Sequence, residues 1–224
     1  MPIDHNRPFD LVVFDWDGTL MDSTAAIVQA LQLAFERMGL PVPEKKACQH
    51  VIGLGLIDAM TYLAPALTEA DHKQIAVHYR EAYFSTSQTL VLYDGANELL
   101  NALEQQGFYL AVATGKSRRG LNEALEVSGL QGRFHATRCA DESFSKPNPA
   151  MLFDVMDRVG VSSARTLMIG DTTHDLRMAE AAGTAALGLT HGAHDLAALQ
   201  AVPHLAILDD LPAIEQWLKT YQPD

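Results

Sequence analysis

Short apolar runs alternate with amphipathic segments along the chain. The first run, residues 11–14, is rich in Val and Phe and is typical of a buried strand. Helical spacing of apolar residues follows over residues 23–38, with Ser23 as the expected N-cap and Gly39 as the expected stop. The chain therefore begins with a strand that leads into a helix.

From residue 90 onward, strand and helix patterns alternate regularly. The predicted strands cover residues 108–114, 134–139, 166–169, 184–189 and 204–208. The predicted helices cover residues 96–106, 117–127, 149–159, 176–182 and 211–219. Strands that alternate with helices indicate a parallel sheet covered on both faces, with right-handed crossover connections.

The segment between the first strand and residue 90 does not follow this alternation. Residues 44–87 have helical spacing and contain no convincing alternating strand. We therefore predict an α/β fold in which a helical cap domain, residues 21–90, is inserted into the sheet domain. The predicted core domain comprises residues 1–20 and 91–224.

Composition and charge narrow the class of protein. The 224 residues are 48% hydrophobic, which is enough to bury a substantial core. The formal net charge of −12 argues against nucleic acid and anionic membranes as partners and fits a small-molecule ligand. No apolar run is long enough to span a bilayer, and the first residues lack a signal peptide's apolar stretch.

Cysteine usage indicates a reducing compartment. Cys48 and Cys139 are the two cysteines, and their separation matches no metal-binding or redox spacing. We predict two free thiols and a cytoplasmic location. The sequence leaves both a monomer and a homodimer open.

Two carboxylates stand where the first strand ends. Asp15 and Asp17 directly follow the apolar run. Aspartate is a poor strand former, and two ionised carboxylates at the mouth of a hydrophobic sheet repel each other. Stability does not account for this pair, whereas a metal ion or a chemical step that needs both carboxylates would.

Polar residues also follow the other predicted strands. Thr114 and Gly115 follow one strand, Asp171 and Asp175 follow another, and Lys146 lies just ahead of a helix. Ligands of such sheets bind at the carboxyl ends of the strands, which lie along one edge. We therefore expect these side chains to form one site with the two carboxylates of the first strand.

The carboxylates suit a phosphate ester bound with Mg²⁺. Magnesium is held by one or two carboxylates together with phosphate oxygens, and Asp15 and Asp171 can supply those carboxylates. A carboxylate can also attack phosphorus to form an aspartyl-phosphate. Asp17 can protonate the leaving alkoxide and later activate water.

The other residues suit the transferring phosphoryl group. The ammonium of Lys146 offsets its charge, and the Thr114 hydroxyl with nearby amides holds its oxygens. Gly115 leaves room for a close backbone approach, and Gly18 permits the turn after the acid/base carboxylate. We predict Thr114, Gly115 and Lys146 as phosphate-binding residues, with Gly18 and Asp175 in support.

Several further motifs have simpler interpretations. Gly53 and Gly55 form a Gly-X-Gly, but no strand precedes it and no third glycine completes a dinucleotide pattern, so we predict a tight cap loop that faces the substrate. His191 and His194 lack two further ligands nearby and are interpreted as loop histidines. His174 is a neighbour of the site to which the sequence gives no role.

Arg118 and Arg119 fall in the first turn of a predicted helix, where the helix dipole disfavours cations. A surface pair there costs only a few tenths of a kcal/mol. We therefore interpret Arg118 and Arg119 as a surface pair. The alternative is that they attract an anionic substrate or orient the phosphate loop.

Together these residues resemble the four motifs of the haloacid dehalogenase superfamily. The matching segments are Asp15-Trp16-Asp17-Gly18-Thr19-Leu20, Thr114, Lys146-Pro147 and Gly170-Asp171 through Asp175. The resemblance implies a Rossmann-like core, an early helical cap and Mg²⁺-dependent phosphoryl transfer through aspartyl-phosphate. Asp22-Ser23 and the cap glycines look most like the phosphoglycolate phosphatase group.

The resemblance also implies a role for each residue. Asp15 would be the nucleophile and a metal ligand, and Asp17 would be the acid/base and give its backbone carbonyl to the metal. Asp171 would be a metal ligand, and Asp175 a ligand or a supporting residue. Thr114 and Lys146 would bind phosphate.

Two positions depart from the family pattern. Gly115 stands where relatives often carry Asn, and Tyr93-Asp94-Gly95 replaces a frequent Pro-Gly at the exit from the cap. Both departures bear on specificity or cap motion more than on the chemistry.

The leading hypothesis is a phosphatase for small-molecule phosphate monoesters, with phosphoglycolate as one candidate substrate. Pyrophosphate, sugar phosphates and nucleoside monophosphates stay open, and so does a phosphomutase. A dehalogenase would have no use for Asp17. A signalling receiver has about half this length and carries its acceptor on a later strand, and a non-catalytic binding protein would lack the nucleophile, the acid or the lysine.

Overall fold

Six parallel strands form one sheet in the described part of the chain. The computed structural model describes residues 7–87 and 89–222. The strands are β1 (Leu11–Phe14), β2 (Tyr109–Thr114), β3 (Ala136–Cys139), β4 (Thr166–Gly170), β5 (Ala185–Leu189) and β6 (Ala206–Leu208). Their order is β3-β2-β1-β4-β5-β6, so β1 is central, with Val13 opposite Ala111 of β2 and Met168 of β4. This confirms the predicted parallel α/β architecture.

Helices cover both faces of the sheet. One face packs on α5 (Ala96–Gln105), α6 (Arg118–Val127) and α10 (Leu211–Thr220). The other packs on α7 (Ala150–Val159), α8 (Thr173–Ala182) and α9 (Leu196–Gln200). Val12 and Phe14 point into the first layer, whereas Leu11 and Val13 point into the second, as the two-residue period of a strand requires.

The segment between β1 and residue 90 is helical, with α1 (Thr24–Arg37), α2 (Lys45–His50), α3 (Leu56–Leu63) and α4 (Glu69–Ser87). These helices bury an apolar cluster of their own, which Ala193 from the core joins. We call α1 to α4 the cap.

Two chain segments connect the cap to the core, and they pair with each other. The amide of Asp22 donates to the carbonyl of Val91 at 3.0 Å, and the amide of Tyr93 donates to the carbonyl of Leu20 at 2.9 Å. The domain boundaries at residues 21 and 90 stay predictions.

Two helices differ from the sequence-based expectation. α8 begins at Thr173 rather than at residue 176, because the Thr172 and Asp175 side chains form a capping box at its start. The short helix α9 was not predicted from the pattern; it begins where the Asp195 side chain accepts a hydrogen bond from the Ala198 amide.

In the described part of the chain, no helix combines the length and apolar character needed to cross a membrane. Cys48 and Cys139 are buried free thiols. Burial raises the pKa of Cys48 to about 11 and that of Cys139 to about 12.

An ion-pair network ties the amino ends of the strands together. Asp10, just before β1, accepts hydrogen bonds from two nitrogens of Arg165 at 2.5 and 2.8 Å and from Arg7 at 3.2 Å. Arg7 also donates to the carbonyls of Gln106 and Gly107, both at 2.8 Å. These hydrogen bonds, Arg165 first, hold the pKa of Asp10 below its ordinary value of 3.8.

We expect Asp10→Asn to lower the free energy of unfolding by roughly 1–2 kcal/mol at pH 7 without changing activity. Because folding lowers the pKa of this carboxyl, its stabilisation is present above pH 3.8 and is lost as the pH falls below that value. Urea unfolding of both proteins from pH 7 to pH 3 measures this. A difference that stays constant over the whole range would contradict the assignment.

Candidate active site

The predicted site residues lie along the carboxyl edge of the central strands. Asp15 follows β1, Thr114 ends β2 and Asp171 follows β4. The amide of Asp15 donates to the carbonyl of Ile169 at 2.9 Å, which continues the β1–β4 ladder into the site. All three side chains are fully buried.

Three carboxylates and one lysine form the centre of the site. The carboxylates of Asp15, Asp171 and Asp175 each place an oxygen within 4.8 Å of the other two. Lys146 Nζ lies 2.8 Å from Asp15 Oδ1 and 2.7 Å from Asp175 Oδ1. Two of the three buried carboxylates thus pair with the ammonium of Lys146, and the third, Asp171, lies beside them.

The carboxylates differ in their partners. Asp171 accepts from the Thr19 hydroxyl and the Ala193 amide, each at 2.7 Å. Asp175 accepts from the Thr172 amide and hydroxyl through the oxygen that does not face the lysine. Asp15 Oδ2 is buried and has no hydrogen-bond partner among the described residues.

Burial dominates the electrostatics of this cluster. It raises the pKa of Asp15 well above the usual value, and Lys146 opposes that shift. Burial, followed by the charge of Asp175, raises the pKa of Asp171 to about 7. Burial disfavours the charged form of Lys146, but the charges of Asp15 and Asp175 outweigh it and raise its pKa.

This donor set fits a hard divalent cation. Asp15 has an unpartnered buried oxygen, and an additional positive charge would relieve the repulsion between the carboxylates. Asp15 and Asp171 are therefore the residues that would hold Mg²⁺. Both oxygens of Asp175 already have partners, so this residue positions Lys146 and begins α8.

Asp17 points away from this cluster and towards the cap. Lys116 Nζ donates to both of its oxygens at 3.0 Å, and the Ser23 hydroxyl donates to Oδ1 at 2.7 Å. Tyr83 of α4 also donates to Oδ1, at 3.5 Å. Ser23 occupies the predicted N-cap position of α1, but its hydroxyl serves Asp17 instead of capping the helix.

Lys116 and Tyr83 were not among the site residues predicted from the sequence. Lys116 directly follows Thr114-Gly115, so its position at the end of a strand was a signal in the sequence. The sequence pattern of α4 contained no signal that Tyr83 would contact Asp17. The Lys116 ammonium is also 3.1 Å from the Tyr83 hydroxyl. The acid/base candidate is therefore in contact with both the core and the cap.

Glycines allow the chain to pass close to the carboxylates. Gly18 has φ +81°, and a side chain there would collide with the Asp171 carboxylate. At Gly115, a Cβ would lie 2.6 Å from the carbonyl oxygen of Gly53 and 2.5 Å from that of Leu54. The close approach at Gly115 is thus made by the cap loop, and a contact with phosphate there stays a prediction.

We expect Gly115→Ala to raise KM about tenfold, because its methyl group displaces the Gly53–Leu54 carbonyls from the core. A tenfold change corresponds to about 1.4 kcal/mol. Steady-state kinetics together with hydrogen exchange over residues 51–55 measure the effect. Unchanged KM with unchanged exchange protection would contradict a closed contact between this loop and Gly115.

Two core histidines hold the end of α2, just before the cap loop, to the core. The Nε2 atoms of His174 and His194 lie 2.7 and 3.2 Å from the backbone carbonyl of His50, at the end of α2. The three rings contact one another, with those of His50 and His194 stacked at 5.4 Å. His174 thus fastens the cap to the core, a role the sequence did not indicate.

The remaining sequence candidates have separate partners. His191 lies 3.2 Å from the Thr19 carbonyl and stacks on Tyr93, at the exit from the cap. Arg118 donates to Glu142 and to Thr137, which attaches the start of α6 to the end of β3. These contacts explain Arg118 without an anionic ligand.

The chain is similar to known phosphatases in sequence and to solved structures in fold. A phosphoglycolate phosphatase from Agrobacterium fabrum is 31% identical over 93% of this chain and 92% of its own length. A solved structure described as a predicted phosphoglycolate phosphatase from Haemophilus somnus superposes with a TM-score of 0.82 at 27% identity, over 93% of this chain and 97% of the other.

A further relative and a sequence family show to which family the chain belongs. The protein described as "probable phosphatase IndB" from Dickeya dadantii is 38% identical over 89% of each chain. Residues 12–189, which include the whole acidic cluster, match the sequence family described as haloacid dehalogenase-like hydrolase. The chain therefore belongs to the haloacid dehalogenase-like hydrolases, within the part of the family that resembles phosphoglycolate phosphatases.

Proposed function

We propose that this protein is a Mg²⁺-dependent phosphatase that hydrolyses small-molecule phosphate monoesters through a phosphoryl group carried on Asp15. The observation that carries the proposal is the buried, unpartnered Oδ2 of Asp15, beside Lys146 and at the base of a cavity beneath the cap. A carboxylate left without a hydrogen-bond partner in such a place is costly unless it binds or reacts.

The first half of the reaction forms a bond between Asp15 and phosphorus. An oxygen of the Asp15 carboxylate attacks, and the bond from phosphorus to the substrate's alkoxide oxygen breaks. Asp17 gives a proton to that alkoxide, so a neutral alcohol leaves. Asp15 and Asp171 would hold Mg²⁺, which when bound would offset the negative charge of the phosphoryl oxygens.

The second half releases phosphate. Asp17, now a carboxylate, takes a proton from water, and the water oxygen attacks phosphorus while the bond to Asp15 breaks. Lys146 and the Thr114 hydroxyl stabilise the phosphoryl oxygens in both halves. Closure of the cap excludes bulk water during the first half, since the cavity lies between cap and core.

The relatives support this class of reaction. The names of the Dickeya and Agrobacterium proteins describe a phosphatase and a phosphoglycolate phosphatase. Phosphoglycolate is therefore a candidate substrate, alongside sugar phosphates and nucleoside monophosphates.

Phosphate release from a panel of monoesters tests the proposal. We expect release with Mg²⁺, loss of release after EDTA, and recovery when Mg²⁺ is restored. Release that is unaffected by EDTA, or the absence of release from every monoester in the panel, would contradict the proposed function.

A further inference from the structure

The cavity beneath the cap is large compared with a two-carbon leaving group. It has a volume of about 590 Å³ and extends from Asp15 and Asp17 outward between the cap and α6. At about 30 Å³ per water molecule, this space corresponds to roughly twenty waters. The volume lies in the range of pockets that enclose ring-containing ligands.

Large apolar side chains line this cavity from both sides. Ile57 on α3, Phe84 on α4 and Val127 on α6 are 37%, 51% and 43% exposed. Two of them belong to the cap and one to the core. Removing exposed apolar surface from water is favourable, so three such side chains around one cavity favour an apolar occupant.

The charges around the cavity disfavour a second anionic group. Among the described residues, six carboxylates line it, including Asp15 and Asp17, against three cations. Of the cations, Lys116 is paired with Asp17 and Arg119 with Glu123. A carboxylate on the leaving group, such as that of phosphoglycolate, would meet an excess of negative charge.

We propose that the preferred substrate is a phosphate monoester whose alcohol is uncharged and carries an apolar or aromatic ring that fills this cavity. The inference rests on the proposed phosphatase function and specifies its substrate class. The ring contacts Ile57, Phe84 and Val127, while the phosphate lies over Asp15. The cap thus selects for apolar area and against charge on the leaving group.

Three monoesters of primary alcohols test this inference: ethyl phosphate, 2-phenylethyl phosphate and phosphoglycolate. The reaction at phosphorus is the same for all three esters, so they differ mainly in the size and charge of the alcohol. We expect kcat/KM for 2-phenylethyl phosphate to exceed that for each of the other two at least about tenfold. Equal values, or a preference for phosphoglycolate, would overturn the inference and leave the phosphatase function standing.

Substitutions locate the preference in the cavity. We expect Phe84→Ala and Ile57→Ala each to lower the ratio of kcat/KM for 2-phenylethyl phosphate to that for ethyl phosphate about tenfold. The matched control is Phe153→Ala, a phenylalanine 44% exposed on α7 and outside the cavity lining. An equal loss in the control would overturn the inference, and no hydrolysis of any ester by the wild type would overturn the proposed function with it.

Discussion

Asp15→Asn is expected to reduce turnover by at least about 10⁴-fold, because an amide cannot form the bond to phosphorus that the proposed reaction requires. Asn has nearly the same shape, and it removes one of three crowded carboxylates while leaving Lys146 paired with Asp175. We therefore expect the variant to fold. Circular dichroism and thermal unfolding check the fold, and phosphate release under saturating substrate measures the rate.

The control for charge is Asp157→Asn, which removes an exposed carboxylate from α7. Its turnover is expected to equal that of the wild type. If Asp15→Asn, purified free of wild-type protein, kept a rate within tenfold of the wild type, the nucleophilic role of Asp15 would be wrong.

Asp17→Asn is expected to slow turnover of an alkyl phosphate by about 10²–10⁴-fold, the usual contribution of a general acid or base. Asn retains an oxygen that can accept hydrogen bonds from Lys116 and Ser23, so the cap contact is largely preserved. The loss arises because no proton is available for the leaving alkoxide and no base is available for the attacking water.

The choice of leaving group separates the role of Asp17 as an acid from its role as a base. p-Nitrophenolate leaves without protonation, so the variant's first half-reaction is expected to be near normal with p-nitrophenyl phosphate. Phosphorylated enzyme then accumulates, and stopped-flow absorbance records a burst of p-nitrophenolate followed by slow turnover. Wild-type rates with the alkyl ester would show that Asp17 has no acid/base role.

The strand-end residues could be predicted from the sequence because they depend on local pattern. An apolar strand followed by Asp15, together with parallel topology, places Thr114 and Asp171 at the same edge. The roles given to Asp15, Thr114 and Lys146 stay predictions, but their expected proximity at one edge agrees with the structure.

Contacts between the cap and the core could not be predicted in this way. The hydrogen bonds from His174 and His194 to the His50 carbonyl join residues more than a hundred positions apart, and no local period encodes them. The same holds for Tyr83, whose contact with Asp17 depends on how α4 of the cap is placed against the segment after β1. Gly115 was recognised as a point of close approach, but the group that approaches it, the cap loop, depends on the docked cap.

Chemical trapping of the phosphorylated enzyme tests most directly whether Asp15 carries the phosphoryl group. Wild-type protein and Asp17→Asn are mixed with p-nitrophenyl phosphate and Mg²⁺, quenched with acid within the first turnover, and digested for mass spectrometry. We expect a phosphoryl group on the peptide that contains Asp15, with more of it in Asp17→Asn, in which only the second half-reaction is slowed. Phosphate release through the first turnover with no phosphoryl group on that peptide, or with the group on another residue, would contradict it.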